Sequence, residues 1–191
     1  MFNNYWNFAG TSLPSGWILS GSSGGVVDNS WSISGSTSGG GGIITVNTFG
    51  VSVLDWYGYA TVPTGAGYWI NLGYVNSSKG TGNNWFTYQG QNDYGYGYVT
   101  NSGSTQTVTY TSTAAGSLPN YIFSVANNGV TGYYLLNYNQ QSTTYPMLTA
   151  INNIVFRNGA SSSGGGANVF VQWLRTRAYP PNGTMPSVTY G

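Results

Sequence analysis

Three aspartates, Asp28, Asp55 and Asp93, are the only side-chain carboxylates in this chain, and Lys79, Arg157, Arg175 and Arg177 are its only cations. Glutamate, histidine and cysteine are absent. A serine triad, a cysteine nucleophile and histidine-based metal hydrolysis each need a residue that the chain does not have. Hydrolysis of a glycosidic bond generally requires two carboxyl groups flanking it, and no motif pairs one aspartate with another. The expectation is therefore a protein that is not an enzyme. Asp28 in VVDNSW and Asp93 in GQNDYGYG stand in turn-like surroundings, where an aspartate usually hydrogen-bonds its own backbone. Ca²⁺ held with neighbouring Asn and carbonyl oxygens is the alternative, disfavoured by the lack of an acidic cluster, so no metal ligands are assigned.

The cations are distributed with more purpose. In the C-terminal NVFVQWLRTRAYPPNGTMPSVTYG, strand alternation puts Trp173, Arg175 and Arg177 on one face and Phe170, Gln172, Leu174 and Thr176 on the other. Leu174 and Phe170 are expected to face the core. The arginines admit two roles: stacking on tyrosine or tryptophan rings of the sheet face, which we favour, or recognition of an anionic sugar or a partner's carboxylate. Asp55, inside a strand beside Trp56, suits a partner role for a buried polar group or for Arg157, Arg175 or Arg177. Trp56, Trp69, Trp85, Tyr88, Tyr94, Tyr96 and Tyr98 offer aromatic planes on which sugar rings or a protein partner would pack, although at least half of them are expected in core or interface. Asn76-Ser77-Ser78 and Asn182-Gly183-Thr184 are sequons, so Asn76 and Asn182 are candidate glycosylation sites.

Positioning these residues falls to a chain of unusual composition. Charged residues make up 4% of it, against ~25% in an ordinary soluble domain, while 16% is aromatic. That aromatic content excludes a disordered chain, and the 191 residues suffice for one sizeable core, read as a single domain over 1–191. A net charge of +1 gives no basic footprint for nucleic acid, and no apolar run is long enough to insert in a bilayer. MFNNYWNFAG is neither a signal peptide nor an anchor, yet the uncharged, hydroxyl-rich composition suits an extracellular setting on a cell or virion surface.

Glycine and asparagine clusters punctuate short runs rich in Val, Ile, Thr, Tyr and Trp, the spacing of an all-β sandwich or barrel. Strands are predicted at Trp17–Leu19, Trp31–Ser34, Ile43–Asn47, Val51–Ala60, Gly67–Val75, Asn84–Gln89, Gly95–Thr100, Gln106–Ser112, Tyr121–Ala126, Gly132–Tyr138, Ala150–Phe156 and Val169–Ala178, with no helix. In VSVLDWYGYA, Val51, Val53, Asp55, Tyr57 and Tyr59 share one side, opposite Leu54 and Trp56. The fold class is all-β: two antiparallel sheets in a jelly-roll-like sandwich.

The N-terminal NNYWNFAGTSLPSGWILSG with WSISG, and the C-terminal VQWLRTRAYPPNGTMPSV, resemble a domain family of uncharacterised function common in archaeal surface and secreted proteins. That family belongs with the concanavalin A-like and laminin G-like lectin and glucanase sandwiches. Trp173, Leu174, Arg175, Arg177, Tyr179, Pro180 and Pro181 match its last strand, whereas Gln172 replaces the usual acid. The resemblance implies a sandwich whose first and last strands lie side by side, used for glycan binding, adhesion or display. Together these readings lead to the expectation of a non-catalytic structural and adhesive module, on an archaeal surface or in a virus particle, that self-associates or binds carbohydrate or surface proteins. A lectin-like carbohydrate-binding module of a larger secreted protein is the alternative.

Overall fold

The computed structural model describes residues 2–19, 25–27, 30–33, 41–61, 68–76, 84–90, 96–102, 105–110, 118–140, 144–146, 152–160 and 168–180. They form sixteen strands: β1 (Phe2–Asn7), β2 (Trp17–Leu19), β3 (Gly25–Val27), β4 (Ser30–Ile33), β5 (Gly41–Phe49), β6 (Ser52–Thr61), β7 (Tyr68–Asn76), β8 (Asn84–Gly90), β9 (Tyr96–Ser102), β10 (Thr105–Tyr110), β11 (Leu118–Asn127), β12 (Thr131–Leu136), β13 (Asn139–Gln140), β14 (Tyr145–Pro146), β15 (Asn152–Ala160) and β16 (Asn168–Arg177). Among the described residues there is no helix, and so none long and apolar enough to cross a membrane.

The strands build two antiparallel sheets. One runs β13-β12-β11-β6-β16-β4-β3, with β1 also paired to β16 and β14 to β12; the other runs β10-β9-β8-β7-β15-β5-β2. The twelve predicted strands are all present with ends shifted by a few residues. Four were not predicted, β1, β3, β13 and β14, of which three have only two or three residues and too short a pattern to register. The predicted pairing of the chain ends holds: β1 lies against β16, with Tyr5 opposite Arg175 and Asn7 opposite Trp173.

Alternate residues of the two sheets meet in a common core. Leu54, Trp56, Phe123, Val125, Tyr134, Val171 and Leu174 come from the first sheet, and Ile43, Tyr74, Ile154 and Phe156 from the second. Trp56 is its hub, tilted against Phe123 at 5.9 Å and edge-on to Phe156 at 5.6 Å.

Strand β16 does not alternate strictly. Val171 pairs with Gly58 and Trp173 with the adjacent Tyr57, so Gln172 is an extra residue, a bulge that reverses parity upstream. Val171 and Leu174 therefore both enter the core, and Phe170 joins Trp173 on the opposite face, stacked on Tyr59 at 4.5 Å. This corrects the expectation that Phe170 faces the core. Gly58 makes the close approach here: a Cβ on it would run into the Phe170 carbonyl oxygen and come within 2.8 Å of the Trp56 ring.

Candidate functional site

The outward face of the first sheet carries the chain's concentrated charge. Asp55 on β6 stands opposite Arg175 on β16 and opposite Ser124 on β11, so one carboxylate is flanked in register on both sides. The Asp55 side chain is fully buried, while those of Arg175 and Arg177 are 16% and 15% exposed. Oδ2 accepts from Nε of Arg175 at 2.8 Å and from Nε of Arg177 at 2.9 Å, and Oδ1 accepts from the Ser124 hydroxyl at 2.6 Å. A buried carboxylate survives only when paired and hydrogen-bonded in this way.

The turn between β12 and β13 closes the network. Asn137 and Tyr138 both have positive φ, 46° and 66°, a two-residue hairpin turn in which the second position ordinarily favours glycine. A tyrosine there is strained. Its position is held by two contacts: the hydroxyl accepts from Nη2 of Arg175 at 2.6 Å, and the ring lies 5.5 Å from the Arg177 guanidinium. Burial first, and then the charge of Asp55, raise the pKa of the Tyr138 hydroxyl. Nearby, Tyr133 and Tyr179 approach hydroxyl to hydroxyl at 3.4 Å; burial and that contact push the Tyr133 hydroxyl up to about 12.

Aromatic rings continue the face. Trp173 stacks on Tyr57 at 5.7 Å, tilts against the exposed Tyr5 at 6.3 Å, and carries the Arg175 guanidinium at 5.0 Å. The two roles foreseen for the arginines and for Asp55, ring stacking and ion pairing, thus occur in the same side chains.

A second feature lies where the edges of the sheets meet. A cleft of about 560 Å³ is lined by Asn4, Trp6, Ser15, Gly16, Thr45, Asn47, Thr48 and Phe49. None of these is charged. Trp6 meets Phe49 edge-on at 6.0 Å and Trp17 edge-on at 5.4 Å, and Asn4 donates to the Thr176 hydroxyl at 2.8 Å. Nothing in the sequence marked this cleft, because β1 and β5 belong to different sheets and are far apart in the chain.

Of the residues proposed from sequence, Trp69, Trp85, Tyr88, Tyr96 and Tyr98 fall on three adjacent strands of the second sheet, β7, β8 and β9, with Tyr88 paired to Tyr96, whereas Trp56, Arg175 and Arg177 belong to the first sheet. Trp56 is a correction: it is 2% exposed in the core, because its even position opposes Asp55 across the strand, and no ligand reaches it. Trp69 lies on β7 opposite Gln89 and Gly159, Trp85 on β8 opposite Val75 and Val99, Tyr88 opposite Ile70 and Tyr96, and Tyr98 on β9 opposite Phe86. Asn76 ends β7. Tyr94, Asn182, Asp28 and Asp93 lie outside the described residues. Sequence reading placed Trp173 on the arginine face but missed that Tyr57, Tyr59 and Phe170 join it in a half-buried aromatic row, although the alternation of VSVLDWYGYA already placed Tyr57 and Tyr59 beside Asp55. Among the described residues no group of three metal-ligating side chains occurs.

No family model and no curated protein matches the chain. Solved structures do. A pseudo beta-1,3-glucanase and immunostimulatory antigen of Mycobacterium tuberculosis shares the fold with a TM-score of 0.65 and 14% identity, over 93% of this chain and 98% of that one. The catalytic domain of an endo-1,3-beta-glucanase (laminarinase) from Thermotoga petrophila gives 0.63 and 10%, over 92% and 96%, and the Bacillus licheniformis beta-glucanase 0.63 and 9%, over 91% and 96%. The fold is thus the concanavalin A-like sandwich of glucanases. The expectation of a structural and adhesive module on an archaeal surface or in a virus particle is corrected by these neighbours, which are glucanases and a pseudo-glucanase.

Proposed function

We propose that this protein is a glycan-binding domain that uses the glucanase sandwich without the glucanase reaction. The observation that carries the reading is the coincidence of a fold shared with glucanases over more than nine-tenths of the chain and a sequence with no glutamate. Fold alone does not confer chemistry, which resides in the site. Asp55, the one aspartate among the described residues, has both oxygens engaged by Ser124, Arg175 and Arg177, and among those residues no second carboxylate flanks it. Such a group neither protonates a leaving oxygen nor attacks an anomeric carbon. A pseudo beta-1,3-glucanase among the fold's relatives gives the reading a precedent, and it makes neutral β-glucans the first ligands to try. The reading puts the domain outside the cell, where such polymers lie.

Calorimetric titration with β-1,3- and mixed-linkage gluco-oligosaccharides, beside a reducing-end release assay on the same sugars, tests this. Saturable binding without turnover is expected. Release of reducing ends that disappears in Asp55→Asn would overturn it, as would an absence of binding to any neutral glycan.

A further inference from the structure

We infer that the cleft between β1 and an arched segment of β5 is a binding subsite for a short run of neutral hexose units. The inference rests on the glycan-binding reading above and locates it at a place that no sequence motif marks.

The arch is built into the sheet. Between the pairs Ile44 with Val155 and Thr48 with Asn153, β5 advances four residues while β15 advances two, so Thr45–Asn47 leave the regular ladder. A run of this kind forfeits backbone hydrogen bonds, and two buried polar side chains replace them. Asn153, 6% exposed, donates from Nδ2 to the carbonyl oxygens of Thr45 at 2.9 Å and Asn47 at 3.3 Å. Thr45, 3% exposed, accepts from the Ile154 N–H at 2.9 Å and donates to the Asn47 carbonyl at 2.8 Å. The Val46 N–H donates to the Gly16 carbonyl at 2.9 Å, continuing the pairing of β2 with β5 and holding the arch from its other side. Burying an amide and a hydroxyl is a cost that a straight ladder would not incur. What it secures is a fixed cleft on rigid strands, the preorganisation that binding sites require.

The lining specifies the ligand class. Asn47, Thr48 and Ser15 are exposed amide and hydroxyl side chains, able both to donate and to accept, and Trp6 and Phe49 supply half-buried rings. A hexose presents the same combination, hydroxyls around its edge and C–H patches on its faces. No lining residue is charged, so neither a phosphate nor a uronate finds a counter-ion there. The volume of about 560 Å³ lies within the ~300–1,000 Å³ of ligand pockets and suits sugar units rather than a folded partner.

The test is calorimetric titration of the full chain with a neutral β-1,3-linked gluco-oligosaccharide. Asn47→Ala removes an amide and Thr48→Trp fills the cleft; both positions are exposed, and an unchanged thermal midpoint confirms that each variant folds. Binding about tenfold weaker in Asn47→Ala and lost in Thr48→Trp, with Trp173→Ala unaffected and affinity insensitive to added salt, is the expected result. A wild-type protein that binds the sugar while both cleft variants bind it equally well overturns this inference and leaves the glycan-binding reading standing. Loss of binding in Trp173→Ala alone, or a steep salt dependence, moves the site to the arginine face and also overturns it. A wild-type protein that binds no neutral glycan overturns both.

Discussion

The two faces of the sheet formed by β11, β6 and β16 come from the same strands, but only the outer one buries charge, beside a small apolar cluster of Val53, Ala126, Tyr133 and Leu135. On the inner face Leu54, Trp56, Phe123, Val125 and Leu174 are removed from water by packing alone. On the outer face, one residue along each strand, Asp55 and Ser124 are as completely buried, yet what holds them is a set of directed charge-assisted bonds from Arg175 and Arg177. Packing tolerates substitution by shape, whereas a buried charge network tolerates removal only as a unit. Even the inner face bears a trace of polarity: the indole N–H groups of Trp17, Trp31 and Trp56 are buried without a hydrogen-bond partner among the described residues, so their rings are there for volume.

Removing Asp55 should break this comparison most severely. Asp55→Ala leaves two guanidinium groups facing each other without their shared anion, and a loss of about 3–5 kcal/mol in urea unfolding is expected. The triple variant Asp55→Leu, Arg175→Met, Arg177→Met should recover most of that loss, because an apolar cluster of similar volume needs no counter-charge. Equal destabilisation of the single and triple variants would show that the outer face depends on shape as the inner one does. The network also revises what the arginines alone mean: Arg175→Ala with Arg177→Ala strands a buried carboxylate, so its cost should resemble that of Asp55→Ala rather than the loss of two ring contacts.

On the inner face Leu174→Ala should cost about 2–5 kcal/mol through lost burial and the cavity left behind. Phe170→Ala should cost less, about 1–2 kcal/mol, because the Gln172 bulge places that ring on the outer face against Tyr59. Equal costs for the two variants would mean that the bulge does not reverse parity.

Tyr138 sharpens the comparison further. Tyr138→Phe removes the acceptor for Arg175 and should cost about 1 kcal/mol, while Tyr138→Gly loses that bond and the ring beside Arg177 but relieves the positive φ, so the two variants should lie close together. A Tyr138→Gly variant more stable than wild type would show that strain outweighs the network contacts.

The smallest effect at ordinary pH, and one that appears only in base, concerns the tyrosines. The Tyr133 hydroxyl titrates at about 12 in the folded protein against an ordinary 10. Its neutral form is therefore favoured by folding; the stability it contributes is fully present below pH 10 and is lost as the pH rises through 12. Tyr74, fully buried on the second sheet with its hydroxyl 2.8 Å from that of Ser52, is shifted in the same direction by burial. A thermal midpoint flat up to pH 10 and falling above it, together with delayed tyrosinate absorbance, is expected. A decline beginning well below pH 10 would contradict it.

Alternation of residue type determined much of this protein from the sequence alone. Runs such as VSVLDWYGYA and VQWLRTRAY specify strands and their faces, because a period of two is a local property that tertiary context does not have to supply. The absence of glutamate, histidine and cysteine likewise limits the chemistry by itself. The alternation of β6 put Asp55 on the face of Tyr57, and the pairing of β1 with β16 followed from the resemblance of the chain ends. Other features were decided only by tertiary structure. The Gln172 bulge that moved Phe170 outward depends on Gly58 in the neighbouring strand, and the arch of Thr45–Asn47 depends on Asn153, more than a hundred residues away. Both arise from a mismatch in register between two strands. Register is a relation between segments distant in sequence, and no single segment encodes it.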